Sequence, residues 1–323
     1  MKLLILGGTV FLGRHIVSAA LEAGHSVTTF NRGTHILAEH QSIEKLHGDR
    51  EKNLDALQNR SWDAVIDTCG YAPDAVSKSA EALKDSADNY VFISSISVFK
   101  NFAARGMNES APVKSIESGD EVEYGSLKAA CEKAVERAFC EGSTIIRPGL
   151  IVGPYDPTDR FTYWPSRVSK GGRVIAPGAP ERCIQFIDVR DLAKWTIRLI
   201  ENQSRGTFNA TGPEKPLSMR EFLNECNAVG GNSAQFVWMN DEALAEAKVD
   251  AWMEMPLWIP ASDEEHRGFL HMDCSKGQSA GLQYSPLSKT IRDTLTWSAT
   301  RDASHVWKAG LAADKECRLL QSN

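Results

Sequence analysis

Several features are missing from this chain of 323 residues. Its seven cysteines (Cys69, Cys131, Cys140, Cys183, Cys226, Cys274 and Cys317) include no CxxC pair and are odd in number and scattered. That pattern argues against a disulfide framework or a zinc site and fits a reducing, cytoplasmic compartment. His35, His40 and His47 lack companions at ligand spacing, so no metal is expected. There is no run of about 20 apolar residues and no signal-type apolar segment, so no membrane role is expected. A net charge of −6 gives no general attraction to nucleic acid, which makes a nucleic-acid partner an unfavoured reading. Repeats and low-complexity tracts are also absent.

What is present in the first half is an alternation of short apolar runs and longer amphipathic ones. Lys2–Leu6, Ser26–Phe30, Ala64–Asp67, Tyr90–Ser94 and Thr144–Arg147 read as buried strands, being short, branched and bounded by turn residues. Helical patterns fall at Leu12–Ala23, Asp74–Lys84, Val122–Cys140 and Val189–Glu201; Gly24 supplies a C-terminal stop to the first and Asp188 an N-cap to the last. Such alternation predicts an α/β fold with a doubly wound parallel sheet. After residue 150 prolines and aromatics accumulate and strands become sparse. The expected organisation is a dinucleotide-binding domain (1–150 plus 187–211), a smaller C-terminal substrate-binding lobe (151–186 plus 212–300) and a helical tail (301–323).

The first strand runs into Gly7-Gly8-Thr9-Val10-Phe11-Leu12-Gly13 at the start of a helix. Glycine at 7 permits a tight turn, at 8 a close approach of backbone to a pyrophosphate, and at 13 close packing of helix on sheet. A helix N-terminus adds unpaired N–H groups and partial positive charge. Gly7, Gly8, Thr9, Phe11, Leu12 and Gly13 are therefore candidate cofactor contacts, the plain alternative being a structural turn. Val10 stands where such turns usually carry a glycine, and it fits if its side chain points away from the ligand. The second strand ends in Asn31-Arg32-Gly33 with no acid between Ser26 and Gly33. An acid there would bind a ribose 2′-OH and repel a 2′-phosphate, whereas Arg32 can pair with the phosphate. With Arg14 as a second cation, this favours NADP(H) over NAD(H), unless both arginines are simply solvated. Asp49 in HGDR is placed to meet an adenine amino group or to form a turn.

The segment EYGSLKAACEKA puts Tyr124 and Lys128 on one helical face. Ser95 lies at the end of the VFISSISVFK strand, where ligands of open parallel sheets bind. A phenol with a pKa of about 10 is poorly matched to proton transfer near neutrality. Lys128 and an oxidised nicotinamide are expected to lower it. Tyr124 would then exchange a proton with a carbonyl oxygen that Ser95 also holds, while Lys128 orients the cofactor ribose.

Taken in this order, these motifs resemble the extended short-chain dehydrogenase/reductase family, often called NAD-dependent epimerase/dehydratases; WDAVIDTCGY, IIRPGLIVGP, IQFIDVRDLA and GTFNATG add to the likeness. The resemblance implies a Rossmann fold and a catalytic triad of Ser95, Tyr124 and Lys128. It further implies that Thr68 and Cys69 line the cofactor, that Pro148 and Gly149 approach the nicotinamide, and that the Tyr124 helix and the preceding helix form a homodimer face. Val10, and the lack of an asparagine in IIRPGLIVGP, point to an atypical subgroup and away from nucleotide-sugar substrates. Some family members with similar openings bind chloroplast stem-loop RNA; the acidic balance and intact YxxxK argue against that role here.

Three functions follow: an NADPH-dependent carbonyl reductase or its reverse dehydrogenase acting on a small or medium organic molecule, an epimerase, dehydratase or isomerase that retains its cofactor, or a non-catalytic dinucleotide-sensing or RNA-binding protein. Tyr155, Tyr163, Trp164, Trp252 and Trp258 either line a substrate pocket or pack the second lobe.

Overall fold

The structure, a computed structural model, describes residues 1–35, 40, 43–116 and 123–322. The elements in chain order are β1 (Lys2–Leu6), α1 (Leu12–Glu22), β2 (Ser26–Asn31), β3 (Glu44–His47), β4 (Ala64–Asp67), α2 (Pro73–Leu83), β5 (Tyr90–Ile93) and α3 (Tyr124–Phe139). There follow β6 (Ser143–Pro148), β7 (Ile151–Val152), α4 (Tyr163–Val168), β8 (Gly172–Pro177), β9 (Cys183–Asp188), α5 (Val189–Glu201), β10 (Gly206–Ala210) and β11 (Gly212–Ser218). The chain ends with α6 (Met219–Gly230), β12 (Ala234–Met239), α7 (Asp241–Glu246), α8 (Ser275–Ser279), α9 (Leu287–Ser298) and α10 (Ala313–Ser322).

Seven strands form a parallel sheet in the order β10-β6-β5-β4-β1-β2-β3. Side chains of a strand alternate between faces, so β1 supplies both cores. Leu3 and Ile5 join α1 and α5 on one side, and Leu4 and Leu6 join the Val76, Ala80 and Leu83 stripe of α2 and the Ala134 and Val135 stripe of α3 on the other. Each of these β1 side chains is at most 1% exposed, and burying each contributes about 1.5–3 kcal/mol. The chain reverses its winding between β1 and β4, which opens a crevice at the carboxyl ends of these strands.

The strands and helices expected in this half agree with the structure to within about two residues, although Val122 lies outside the described residues. Gly24 ends α1 with a left-handed backbone, φ 80°, and its N–H donates to Leu21 O. Asp188 caps α5, its carboxylate accepting from the Arg190 N–H at 2.8 Å. The expectation of few strands after residue 150 is corrected. A three-stranded sheet, β11-β9-β7, and a two-stranded parallel pair, β12-β8, occupy that half. The VIAP run of β8 and the FVWM run of β12 are buried or half-buried around a separate core with Phe161, Phe222 and Trp258. Edge strand β3 (EKLH) also went unforeseen; it is polar and mostly exposed, so hydrophobic alternation does not mark it.

Candidate active site

Cofactor binding needs a cradle free of side chains, and the glycine turn provides one. A Cβ on Gly7, whose φ is +101°, would lie 2.5 Å from Thr68 Oγ1. One on Gly13 would lie 2.8 Å from the Gly8 backbone nitrogen, so helix α1 can approach β1 this closely only with glycine there. Phe11, not a glycine, takes the strained φ of 38° at the N-cap of α1, and it makes no side-chain cap. The first-turn N–H groups of α1 thus have no capping side chain and point into the region where phosphates bind. Val10 is 49% exposed, so it leaves the turn open.

The crevice is a cleft of about 510 Å³, within the roughly 300–1,000 Å³ of ligand sites. It is lined by Gly7, Gly8, Thr9, Phe11, Leu12 and Gly13, by Asn31, Arg32 and Asp49 at one end, by Thr68 and Cys69 on the floor, and by Tyr124 and Lys128 at the other end. Residues drawn from five separated segments therefore meet in one place, and the cleft fits an extended dinucleotide. Asn31 braces the turn, its amide donating to Gly7 O at 3.1 Å and accepting from the Gly33 N–H at 2.9 Å. Asp49 accepts from the Glu51 N–H at 3.1 Å and lies 3.7 Å from Lys52 Nζ.

Three expected contacts are placed differently. Arg14 does not accompany Arg32; its guanidinium lies 3.5 Å from the centre of the Tyr155 ring. Pro148 and Gly149 do not line the cleft, and a Cβ on Gly149 would meet Thr211 Oγ1 at 2.6 Å. Gly149 is small so that β6 can pass the end of β10, and Ile151 and Pro157 occupy the cleft wall that Pro148 and Gly149 were expected to supply.

Tyr124 opens α3 and is 49% exposed. Ser95 Oγ donates to Ser97 Oγ at 3.1 Å and accepts from the Ser97 N–H at 3.1 Å, and it stands close enough to the phenol to favour its anion. Lys128 is buried, and its ammonium donates to Ile93 O at 2.7 Å and Gly70 O at 2.9 Å. Burial lowers the Lys128 pKa. The expectation that Lys128 depresses the phenol is not met. Burial and the neighbouring Tyr71 push Tyr124 up to about 12, against the opposing influence of Ser95 and Arg160. The ammonium is already engaged by two carbonyls, so the resting phenol is neutral and poised as an acid.

Under the cleft floor lies a network the sequence reading missed. Asp67 is fully buried and accepts from Arg50 at 2.8 and 2.7 Å, from the Tyr90 hydroxyl at 2.8 Å and from the Cys69 N–H at 3.0 Å. Burial opposes the Asp67 charge, but Arg50 overcomes this and holds the carboxyl below its ordinary range. A second buried pair, Glu132 with Arg147, joins α3 to β6, and Ser94 donates to it at 2.5 Å. An aspartate closing the apolar AVID strand, and a glutamate on the α3 stripe, were the available signals: buried acids need a partner.

The five aromatic residues divide between the two readings. Tyr163, Trp164 and Trp258 are buried in the second core, Trp252 is half-buried and Tyr155 is exposed. All seven cysteines are free, and no cluster of potential metal ligands occurs among the described residues. No helix among the described residues is long and apolar enough to cross a membrane.

Residues 79–211 match the NAD dependent epimerase/dehydratase family. The chain's fold is similar to that of UDP-N-acetylglucosamine 4-epimerase from Bacillus cereus, which superposes with a TM-score of 0.70 at 18% identity, over 95% of this chain and 99% of the other. UDP-glucuronic acid 4-epimerase from Bacillus cereus, in complex with NAD, gives 0.65 at 18% identity, over 92% and 98%. In sequence the chain is 28% identical over 253 residues to the chloroplast stem-loop binding protein of 41 kDa b of Arabidopsis thaliana. That match covers 71% of this chain, and the chain spans 63% of the length of that curated relative.

Proposed function

We propose that the protein transfers hydride between NADP(H) and a carbonyl or alcohol carbon of a small or medium organic molecule, with Tyr124 as acid and base. The observation that carries this reading is the meeting of Tyr124, Lys128 and the uncapped glycine turn in one cleft. A bound nicotinamide supplies or accepts the hydride. In reduction the neutral Tyr124 phenol donates its proton to the substrate oxygen, and Ser95 holds that oxygen by a second hydrogen bond. Lys128, anchored on Ile93 O and Gly70 O, keeps a positive charge near the forming phenolate and orients the cofactor ribose. Residues 151–186 and 212–300 form the lobe that closes over the substrate.

The choice of NADP(H) is supported by Arg32 on the cleft wall and by Asn31, whose amide braces the turn where an acid would select a ribose hydroxyl. A second reading, an epimerase or dehydratase that returns the hydride to the same substrate, is favoured by the likeness to 4-epimerases that bind NAD. A spectrum of the purified protein followed by titration with NADPH and NADH separates them. Exchangeable, tighter NADPH supports the first reading; a retained nucleotide supports the second. With a turned-over carbonyl in hand, Tyr124→Phe is expected to lower kcat by about 10²- to 10⁴-fold with cofactor affinity nearly intact. Undiminished turnover would remove Tyr124 from the chemistry.

A further inference from the structure

Beyond β7 the chain passes through Tyr155-Asp156-Pro157-Thr158-Asp159-Arg160, and Pro157 lines the cleft beside Tyr124. Two residues of this turn, Tyr155 and Asp159, hold left-handed backbones, φ 71° and 63°. Such strain in residues other than glycine is concentrated at binding sites. Arg160 follows directly, half-buried, with its guanidinium 5.6 Å from the centre of the Trp252 ring and near enough to the Tyr124 phenol to act on its charge.

Arg160 is set apart by what it lacks. Three other arginines after residue 150 are matched to carboxylates, Arg167 to Glu316 at 2.6 Å, Arg182 to Asp241 at 2.7 Å and Arg301 to Asp159 at 2.5 Å, while Arg173 and Arg267 bond to carbonyl oxygens. Among the described residues no carboxylate oxygen lies within 4.0 Å of Arg160, and its guanidinium makes no hydrogen bond of its own. The nearest acid in electrostatic reach is Asp156, whose Oδ1 is taken by the Thr158 N–H at 2.8 Å and hydroxyl at 2.7 Å. Asp156 Oδ2 is buried without a hydrogen-bond partner, and burial raises the group to about 6; its charge acts on Arg160 from beyond ion-pair distance. A cation withdrawn from water without a partner is costly to keep, and a planar guanidinium is suited to receive two oxygens of one anion.

We infer that Arg160 binds an oxyanion of the substrate, a carboxylate or a phosphate, and holds it beside the Tyr124 phenol. This deepens the hydride-transfer reading and rests on it for the word substrate, since the anion site itself follows from Arg160 alone. Neutral molecules of the same shape would leave the cation unpaired and be rejected.

The test uses NADP⁺-loaded full-length protein and three probes: oxalate, inorganic phosphate and neutral oxamide. Calorimetric titration is expected to show binding of oxalate or phosphate, the stronger of the two naming the class, and none of oxamide. Arg160→Gln should weaken that binding at least about tenfold, the loss typical of a charge-assisted pair. Arg160→Lys should restore part of it, with NADP⁺ affinity and melting temperature unchanged in both. An Arg32→Ala control, loaded to the same occupancy, should bind the anion as well as wild type. Failure of both anions to bind, equal binding by Arg160→Gln, or loss of binding only in Arg32→Ala would overturn the assignment. A catalytic arm compares benzoylformate with its methyl ester under NADPH. Preference for the acid that Arg160→Gln abolishes supports the inference, and equal losses for acid and ester refute it. Anion binding through Arg160 with no hydride transfer to any carbonyl would instead count against the hydride-transfer reading and leave the anion site standing.

Discussion

Replacing Asp67 by asparagine tests whether the cleft floor is held by charge. The substitution keeps the shape but turns one acceptor oxygen into an NH2 donor facing other donors, and it leaves the Arg50 cation without its counter-charge. Arg50 and Asp67 are 11% and 0% exposed, so little solvent screens the loss. Breaking a buried pair from one side costs about 3–5 kcal/mol, a factor of at least about 100 in the folding equilibrium. Urea unfolding at neutral pH should show that drop in wild type against Asp67→Asn. The double variant Asp67→Asn/Arg50→Met, which removes the stranded cation, should lose less than Asp67→Asn alone. The sign with pH is fixed. Asp67 is held below its unfolded value of about 3.9, so its contribution is present above that pH and is lost as pH falls through the folded pKa. The difference between wild type and Asp67→Asn should therefore be constant from about pH 8 to 5 and close in stronger acid. A cost below about 1 kcal/mol, or a double variant as damaged as the sum of the singles, would refute the reasoning. Because the Cys69 N–H leans on the same carboxylate, dinucleotide affinity should fall along with stability.

Further outcomes can be checked alongside. Arg32→Ala should weaken NADPH by about 10- to 100-fold and NADH hardly at all, since only the former offers a phosphate to a charge-assisted bond; equal losses in a fluorescence titration would dismiss the 2′-phosphate. Gly13→Ala would force a Cβ against the Gly8 backbone, whose nitrogen and Cα would lie 2.8 and 2.9 Å away. Backbone cannot yield as a side-chain end can, so a loss of about 1–3 kcal/mol and weaker cofactor binding are expected, and unchanged values of both would show that α1 does not sit this close. With the resting phenol near 12, reduction should be flat in pH from about 6 to 9 as far as Tyr124 is concerned. Alcohol oxidation, which needs the phenolate, should rise towards tenfold per pH unit until the charge of the oxidised cofactor levels it off, and a slope that survives in Tyr124→Phe would assign it to another group.

Local chemistry was legible because it is short-ranged. The continuous apolar run of β1 and the 3.6-residue stripes of α1, α2 and α5 are written in consecutive residues. So are the glycine turn and the four-residue spacing of Tyr124 and Lys128, and these features fixed the parallel sheet and the position of the crevice. The polar edge strand β3 was not legible because its own pattern is weak, nor were β8 and β12, whose pairing joins segments far apart in sequence.

The sequence by itself determined the fold class, the crevice and the identity of the groups that meet there. Only the tertiary structure decided their electrical states and allegiances. It set Tyr124 beside Tyr71 and Ser95, engaged Lys128 with two carbonyls, drew Arg14 to Tyr155 and left Arg160 without a carboxylate. The reason is physical: a charge's energy depends on the solvent it loses and the partners it gains, and both are set by segments that meet only when the chain is folded.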